Sequence, residues 1–531
     1  MKTTTLITKK ITLILSVLAL SLTFNSCGKD FLETTPTNRV SVAEAMNTFE
    51  GAMMAVNGIH GMMFGSVVSP RISSGSIGAG HGIGSLWLTV DHLGDDFVMW
   101  NHPQGNWFIG MYDWADTRRE MSSMIGFPYH WCYQIIGNAN RIIERIDEFD
   151  ASDNDRNFVL GQALFYRAFG HFWAVQLWGH RYVLGDAAAN ARLGVPLVTS
   201  SELIIRPRST TGEVYAQINA DLTEAIRLLD GNPSAINRRN NSHINGNVAH
   251  GLMARVALVQ QRWADAAYHA RRAQEGVPIA TARELLNGFH TTSAEEWIWG
   301  INHQSVSSGS NFGNFISLNM EGGSQTPRNS PRLINRELYN MMDPNDIRRD
   351  WWITDNNDPR LAALRAAGFL PSGQPTLANQ KFRVFGLFSP VSSTSMLDLP
   401  MMRGSEMFLI EAEAEAREGN YNEARIALTR LMDVRVPGFS TTNEGEALID
   451  EIMINRRIEL WGEGHRFLDL KRLGLPLVRT GAQGHLIAHA GDQTINADGT
   501  PVVIPASDPR WNLHLPRWEI EPSRGIIVQN P

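Results

Sequence analysis

The sequence predicts a mainly α-helical protein: a tetratricopeptide-like scaffold of helical hairpins carrying a large irregular, loop-rich region. Three observations predict it. The first is periodicity. "RNFVLGQALFYRAFGHFWAVQLWG", "STTGEVYAQINADLTEAIRLLDG" and "NVAHGLMARVALVQQRWADAAYHARRAQEG" repeat apolar residues at i, i+3, i+4 and i+7, which gathers them on one face of a helix that must pack on another. The second of these opens on Ser/Thr cap positions and stops at Gly231. The second observation is internal similarity. "QRWADAAYHAR" from Gln261 and "GNYNEARIALT" from Gly419 align Trp263 with Tyr421, Asp265 with Glu423 and Ala266 with Ala424. An aromatic at the turn and a small alanine in the helix that follows let the two helices of a repeat hairpin approach closely. The third is what separates the two copies. Residues 275–400 form an irregular insertion rich in Gly, Ser, Asn and Pro ("NHQSVSSGSNFGNFISLNMEGGSQTPRNSP"), and residues 61–130 form a second loop-rich stretch. Irregular segments on a rigid frame are the usual home of binding sites.

The remaining divisions follow in chain order. Lys2, Lys9 and Lys10 precede the uncharged run "ITLILSVLALSLTF", Ile11 to Phe24, which is the length of a secretory signal and short of a membrane span. Residues 1–26 are therefore expected to be removed on export, leaving Cys27 as the first mature residue behind the small Ser26, although Phe24 and Asn25 depart from the usual lipoprotein pattern. A cysteine there is the residue that bacterial lipoprotein processing acylates, and several acyl chains together hold a protein on a membrane without a spanning helix. Residues 27–60 are expected to form the acylated tether and first helical segment, 131–274 the helical scaffold, and 401–531 the C-terminal scaffold and terminal tail. Cys132, the other cysteine, sits among helix-spaced apolar residues and is expected to be a small buried hydrophobe.

Loss of residues 1–26 removes three lysines and no acid, taking the formal charge from −7 to −10. So acidic a chain is a poor nucleic-acid binder. Tryptophan is heavily used, 15 residues against 9 tyrosines, an excess that asks for a reason beyond packing.

Several blocks in shared order carry a resemblance: "CGKDFLETTP", "GQALFYRAFGHFWAVQLWG" followed by "GVPLV", "RSTTGEVYAQINADLTEAIRLL", "LDLPMMRGSEMFLIEAEAEAREGNYNEA", "INRRIELWGEGHRFLDLKRLG" and "LPRWEIEPSRGIIVQNP". The chain resembles the SusD/RagB-like outer-membrane lipoproteins of Bacteroidetes over nearly all of its mature length. The resemblance implies a surface-exposed nutrient-binding lipoprotein on the outer membrane. Such a protein caps a SusC-like TonB-dependent transporter and passes oligosaccharide to it, with no chemistry of its own. It also implies that Asp30 and Glu33 belong to a surface-export signal. Some members of the same scaffold capture peptides, so a peptide-binding uptake protein is an alternative.

An enzyme is the third class. The sequence has no H-E-x-x-H, G-x-S-x-G or G-x-x-x-x-G-K-[ST], and "GSIGAGHGIGS" does not satisfy G-x-G-x-x-G, so no cofactor and no metal is expected. The cluster Arg456, Arg457, Glu459, Glu463, Arg466 and Asp469 invites a glycosidase reading, which requires two carboxylates flanking a bond. It interleaves acids with arginines, which keeps carboxylates ionised instead of raising one for acid catalysis. A structural ion-pair network is the expectation, and with it no catalytic residue. Asp95 with Asp96 and Glu295 with Glu296 are adjacent pairs whose direction is open.

Sugar binding has a clearer signature. A pyranose offers apolar C–H faces and a rim of hydroxyls, so its receptor needs flat aromatic platforms with polar groups at their edges. "DDFVMWNHPQGNWFIGMYDW" supplies Trp100, Trp107 and Tyr112 interleaved with Asp96, Asn101 and Gln104, and ends on Trp114 near a helix. The resemblance places family ligand-contacting loops in the same stretch. In the insertion, "DPNDIRRDWWITDNNDP" is the second candidate: Asp346 and Arg348 are expected to make a structural turn, and one of Trp351 and Trp352 to be exposed.

Overall fold

The structure is a computed structural model, and it describes residues 48–64, 82–99, 108–238, 240–289, 291, 293–302, 332–355, 357–359, 377–382, 398–479 and 501–531. Its principal elements, in chain order, are α1 (Phe49–Gly61), α2 (Gly82–His92), β1 (Phe97–Met99), α3 (Ser123–Glu144), α4 (Asp153–Trp178), β2 (Leu193–Pro196), β3 (Arg208–Thr210), α5 (Thr211–Leu229), α6 (Gly246–Val259), α7 (Trp263–Gln274), β4 (Trp297–Ile301), β5 (Arg332–Ile334), β6 (Trp352–Ile353), β7 (Ala378–Asn379), β8 (Leu399–Arg403), α8 (Gly404–Glu418), α9 (Tyr421–Arg435), α10 (Gly445–Glu459), α11 (Arg466–Leu473), β9 (Leu477–Arg479) and β10 (Val502–Ile504).

The helices form the expected frame. α3 packs on α4, α4 on α5, α5 on α6, α6 on α7, α7 on α8, and α8 on both α9 and α10, a continuous succession of packed neighbours. Local chemistry sets their ends. At the start of α5 the Thr210 hydroxyl accepts from Glu213 N at 3.2 Å while the Glu213 carboxylate accepts from Thr210 N at 2.8 Å, a reciprocal cap that satisfies two otherwise orphaned donors. The two copies seen in sequence are the hairpins α6–α7 and α8–α9. Trp263 and Tyr421 open their second helices, and Ala266 and Ala424 are fully buried one turn later. Both hairpins turn through a left-handed residue at the same place, Gln261 (φ 61°) in the first and Gly419 (φ 86°) in the second.

Two parts differ from expectation. The stretch 61–130 contains α2, "GIGSLWLTVDH", whose every residue is buried. It is buried on all sides, with Ser85, Thr89, Asp91 and His92 enclosed along with its apolar residues, so no single apolar face marks it as a helix in the sequence. The insertion 275–400 likewise supplies β4, buried along its whole length and antiparallel to β8 from Trp297↔Arg403 to Ile301↔Leu399. Cys132 is buried, and burial raises its thiol pKa, in keeping with an inert packing residue. No described helix is long and apolar enough to cross a membrane.

Candidate functional site

One four-stranded antiparallel sheet, in the order β1-β5-β7-β6, brings together the two tryptophan-bearing stretches singled out in sequence. β1 pairs with β5 (Phe97↔Ile334, Met99↔Arg332), β5 with β7 (Leu333↔Ala378), and β7 with β6 (Asn379↔Trp352). Trp100, Asn101, Gln104 and Trp107 lie outside the described residues, as does Cys27. The residues on either side of 100–107 are described, and both flanks are tied down.

On the N-terminal side, Asp95 accepts from Arg466 through both carboxylate oxygens, at 2.6 and 3.0 Å. Asp96 accepts from Arg457 at 2.5 and 3.0 Å, and its carbonyl oxygen accepts from the Trp461 indole at 3.0 Å. Phe97 then stacks on Trp461 with ring centroids 4.4 Å apart. On the C-terminal side, Phe108 stacks on His92 at 4.9 Å with the ring planes 12° apart. Arg479 donates to the carbonyls of His92 (2.7 Å), Gly94 (2.7 Å) and Tyr112 (2.6 Å), and its guanidinium lies 3.8 Å over the Tyr112 ring. Charge-assisted bonds and cation–π contact of this kind are strong when desolvated. They make a collar of anchored residues on either side of positions 100–107 in the chain.

Burial corrects four expected ligand contacts. Asp96 is buried with its carboxylate committed to Arg457, so it is an anchor. Tyr112 is fully buried beneath Arg479. Trp351 and Trp352 are each only 1 % exposed, against the expectation that one of them faces solvent. The reason is that the sheet is covered on both sides. Trp351 donates its indole N–H to Leu285 O and lies 4.8 Å from the Lys381 ammonium, while Trp352 packs edge-on against Tyr339 and Trp461. Trp114 is buried too, its indole N–H donating to Leu93 O at 3.2 Å.

The charged motif of the C-terminal helices is a buried ion-pair network, as its alternation of sign predicts. Glu459 accepts from Arg348 (3.2 Å), Arg403 (3.1 Å) and Arg435 (3.0 Å to each oxygen). Glu463 accepts from Lys381 (2.6 Å) and Arg403 (2.7 Å), and Glu296 from Arg403 (3.3 Å). Asp346 closes the turn expected of it, accepting from Arg348 N at 2.9 Å and from the Arg348 guanidinium at 2.7 Å. The four acids Asp346, Glu296, Glu459 and Glu463 thus meet the four bases Arg348, Lys381, Arg403 and Arg435. Burial would raise these carboxyls, but the cations outweigh it: Arg403 and Lys381 hold Glu463 at about 2, and Arg435, Arg403 and Arg348 hold Glu459 well below the usual range. Neither carboxyl has the raised pKa that a general acid requires.

Sequence reasoning missed Arg479, Lys381 and Arg403. Their partners lie tens to hundreds of residues away, and no local spacing marks them. Arg403 stands within the "LDLPMMRGSEMF" block and Arg479 a few residues past "FLDLKRLG", whereas Lys381 lies in neither.

Comparison with known proteins places this geometry. Residues 87–258 match a SusD-like family described as starch-binding and associating with the outer membrane, and residues 375–513 match the SusD family proper, together more than half of the chain. The chain is a SusD/RagB-like protein. Two relatives from Formosa agariphila are similar: SusD-like protein P38, 24% identical over 64% of this chain and 70% of its own length, and SusD-like protein P2, 26% identical over 68% and 74%. Among solved structures, a SusD superfamily protein from Bacteroides vulgatus superposes with a TM-score of 0.72 at 20% identity, covering 91% of this SusD-like chain and 99% of the other. Surface glycan-binding protein A from Bacteroides thetaiotaomicron, in complex with laminarihexaose, superposes with a TM-score of 0.66 at 18% identity, covering 91% and 99%. These structures establish the shared helical fold.

Proposed function

We propose that this SusD-like chain is a surface-exposed glycan-binding lipoprotein that captures nutrient oligosaccharide and passes it to a SusC-like TonB-dependent transporter, without catalysis. The observation that carries the reading is the anchoring of the residues that flank 100–107, by Asp95–Arg466 and Asp96–Arg457 before them and by Phe108–His92 and Arg479 after them. Anchored flanks limit the conformational freedom that a binding site must give up when it takes up a flexible ligand. Trp100 and Trp107 supply platforms for C–H faces, and Asn101 and Gln104 supply amides for the hydroxyl rim. A structural neighbour that holds laminarihexaose supports a carbohydrate as the ligand class. Cys27, acylated, supplies the outer-membrane anchor.

The test is tryptophan fluorescence titrated with a panel of oligosaccharides and of peptides. Saturable quenching by oligosaccharides alone supports the proposal, and quenching by peptides alone replaces it with the peptide-binding alternative. Release of new reducing ends from a bound polysaccharide would make the protein a glycosidase. Co-purification of a large β-barrel protein in mild detergent tests the transporter partnership.

A further inference from the structure

Residues 197–207, between β2 and β3, form an arm that runs along α3 and α4. Its base is fixed to both helices. Val198 N donates to His171 Nε2 at 3.2 Å, the Asn140 amide donates to the carbonyls of Val198 and Ser200 at 3.1 Å each, and Ser201 N donates to the Glu144 carboxylate at 2.7 Å. Beyond Ser201 the arm turns three consecutive apolar residues to solvent: Leu203 is 95 % exposed, Ile204 50 % and Ile205 49 %. Single exposed apolar residues are normal on a protein surface, but an uninterrupted run of three at a fixed apex marks a contact surface.

The arm reaches the part of the frame from which the chain leaves for Cys27. Thr48, the first described residue, caps α1 and is bridged to Asp150, six residues past the Glu144 that holds Ser201. Ile236, 66 % exposed, lies on the other side of the same exit. Its turn is joined to the start of α4, where the Asn232 amide donates to Asn154 O at 2.9 Å and the Ser234 hydroxyl donates to the Asp155 carboxylate at 2.8 Å. Thr48 therefore stands between one apolar apex tied to the end of α3 and an exposed isoleucine tied to the start of α4.

The charges nearby decide what kind of surface fits. Glu148 is paired with Arg145 and Asp153 with Arg156, while Glu50, Asp147, Asp150 and Glu202 are exposed acids. An acidic setting gives no attraction to an anionic surface, so a contact here has to be apolar.

We infer that Leu203, Ile204 and Ile205, with Ile236 beside the exit, rest in the interfacial layer of the lipid bilayer to which Cys27 is anchored. The inference rests on the reading of Cys27 as acylated. Residues 28–47 separate Cys27 from Thr48 and span at most about 75 Å, so the anchor keeps this part of the frame within reach of the bilayer. Three apolar side chains are too few to hold a free protein on a membrane. A tether makes the same contact intramolecular, and a weak contact then suffices.

The test is fluorescence quenching in the full mature chain on phosphatidylcholine vesicles that contain a lipid with a nitroxide at the top of its acyl chain. A fluorophore is placed at Leu203→Cys or, as control, at Ile426→Cys, which is exposed on α9; Cys132 is buried and does not compete. The expected result is at least about threefold stronger quenching at 203 than at 426, insensitive to ionic strength because the contact is apolar. Flotation of the chain with the vesicles is read separately. Its absence refutes the acylation, and the same quenching measurement on the Cys27→Ala chain, held on a nickel-chelating lipid by an N-terminal histidine tag, then decides the apolar contact by itself. Equal quenching at the two positions would overturn the inference. So would a probe at 203 already shielded from aqueous iodide in the Cys27→Ala chain without vesicles, which makes residues 28–47 the cover. Shielding that arises in native outer membranes but not in vesicles would also overturn it, and makes a neighbouring protein the cover.

Discussion

Arg435 and Glu459 meet as a fully buried bidentate pair, with Nε and Nη2 of the arginine each 3.0 Å from a different oxygen of the glutamate. The pair joins α9 to the end of α10, and because Arg348 and Arg403 share the same carboxylate it also ties both helices to the insertion through Arg348 and to β8 through Arg403. One carboxylate is thus the junction between the repeat frame and the layer that supports the candidate site.

Removing that carboxylate leaves three guanidinium groups buried around a neutral side chain. Glu459→Gln should destabilise the protein by about 3–5 kcal/mol, the usual cost of orphaning a buried charge. The exposed pair Arg145–Glu148 is the control: Glu148→Gln should cost less than about 1 kcal/mol. Urea unfolding of both variants checks the contrast, and similar costs for the two would contradict it.

Acid should weaken the fold before its carboxylates titrate. Burial holds His60 and His171 down to about 3 and His465 to about 4, against 6.5 for an ordinary imidazole. His171 is fixed as a neutral ring, with Nδ1 against Arg167 O at 3.0 Å and Nε2 accepting from Val198 N at 3.2 Å. Between pH 6.5 and 4 the unfolded chain binds protons that the native chain refuses. These groups therefore contribute stability that is present above pH 6.5 and lost as pH falls. Glu463, depressed from 4.5 to about 2, adds a further loss below pH 4.5. The unfolding midpoint should decline steadily from pH 6.5 downward, and a flat profile from pH 7 to 4.5 would contradict these assignments.

The two hairpin turns make an asymmetric pair. Gly419 adopts its left-handed conformation freely, whereas Gln261 bears the cost of a Cβ there and recovers part of it by accepting from Leu184 N at 3.3 Å. Gly419→Gln should destabilise by about 1–2 kcal/mol, while Gln261→Gly should be neutral or slightly stabilising. Thermal unfolding of the two variants measures this directly, and equal destabilisation would contradict it.

The frame was legible in the sequence because helical periodicity reports the buried face of an amphipathic helix, as α5 shows, and because Ala266 and Ala424 had to be small for their helices to approach. The Asp346–Arg348 turn and the network through Arg456 and Glu459 were legible because the sign of neighbouring charges alternates within a few residues. The candidate site was legible only as composition. An aromatic residue in a sequence states how much surface it carries and nothing about which side of a sheet is covered, so Trp351 and Trp352 pass equally for platforms or for core. Asp96 misled for a similar reason, since its partner Arg457 lies hundreds of residues downstream.

The anchor is tested at Cys27. Cys27→Ala should move the protein from the membrane to the soluble fraction and abolish palmitate labelling, because no described helix offers another means of insertion. Retention of the variant in washed outer membranes would contradict the assignment.

The account's central claim, that residues 100–107 bind glycan, is tested most directly by calorimetric titration of Trp100→Ala with an oligosaccharide that the wild type binds. Hydroxyl hydrogen bonds largely exchange with water, so the stacking platform should supply most of the affinity. Loss of a central aromatic anchor costs about 2 kcal/mol or more, roughly thirtyfold in dissociation constant. The predicted result is that loss with an unchanged unfolding midpoint, while Trp351→Ala, buried beside Lys381, lowers stability by about 3–5 kcal/mol. Wild-type affinity in Trp100→Ala would contradict the claim.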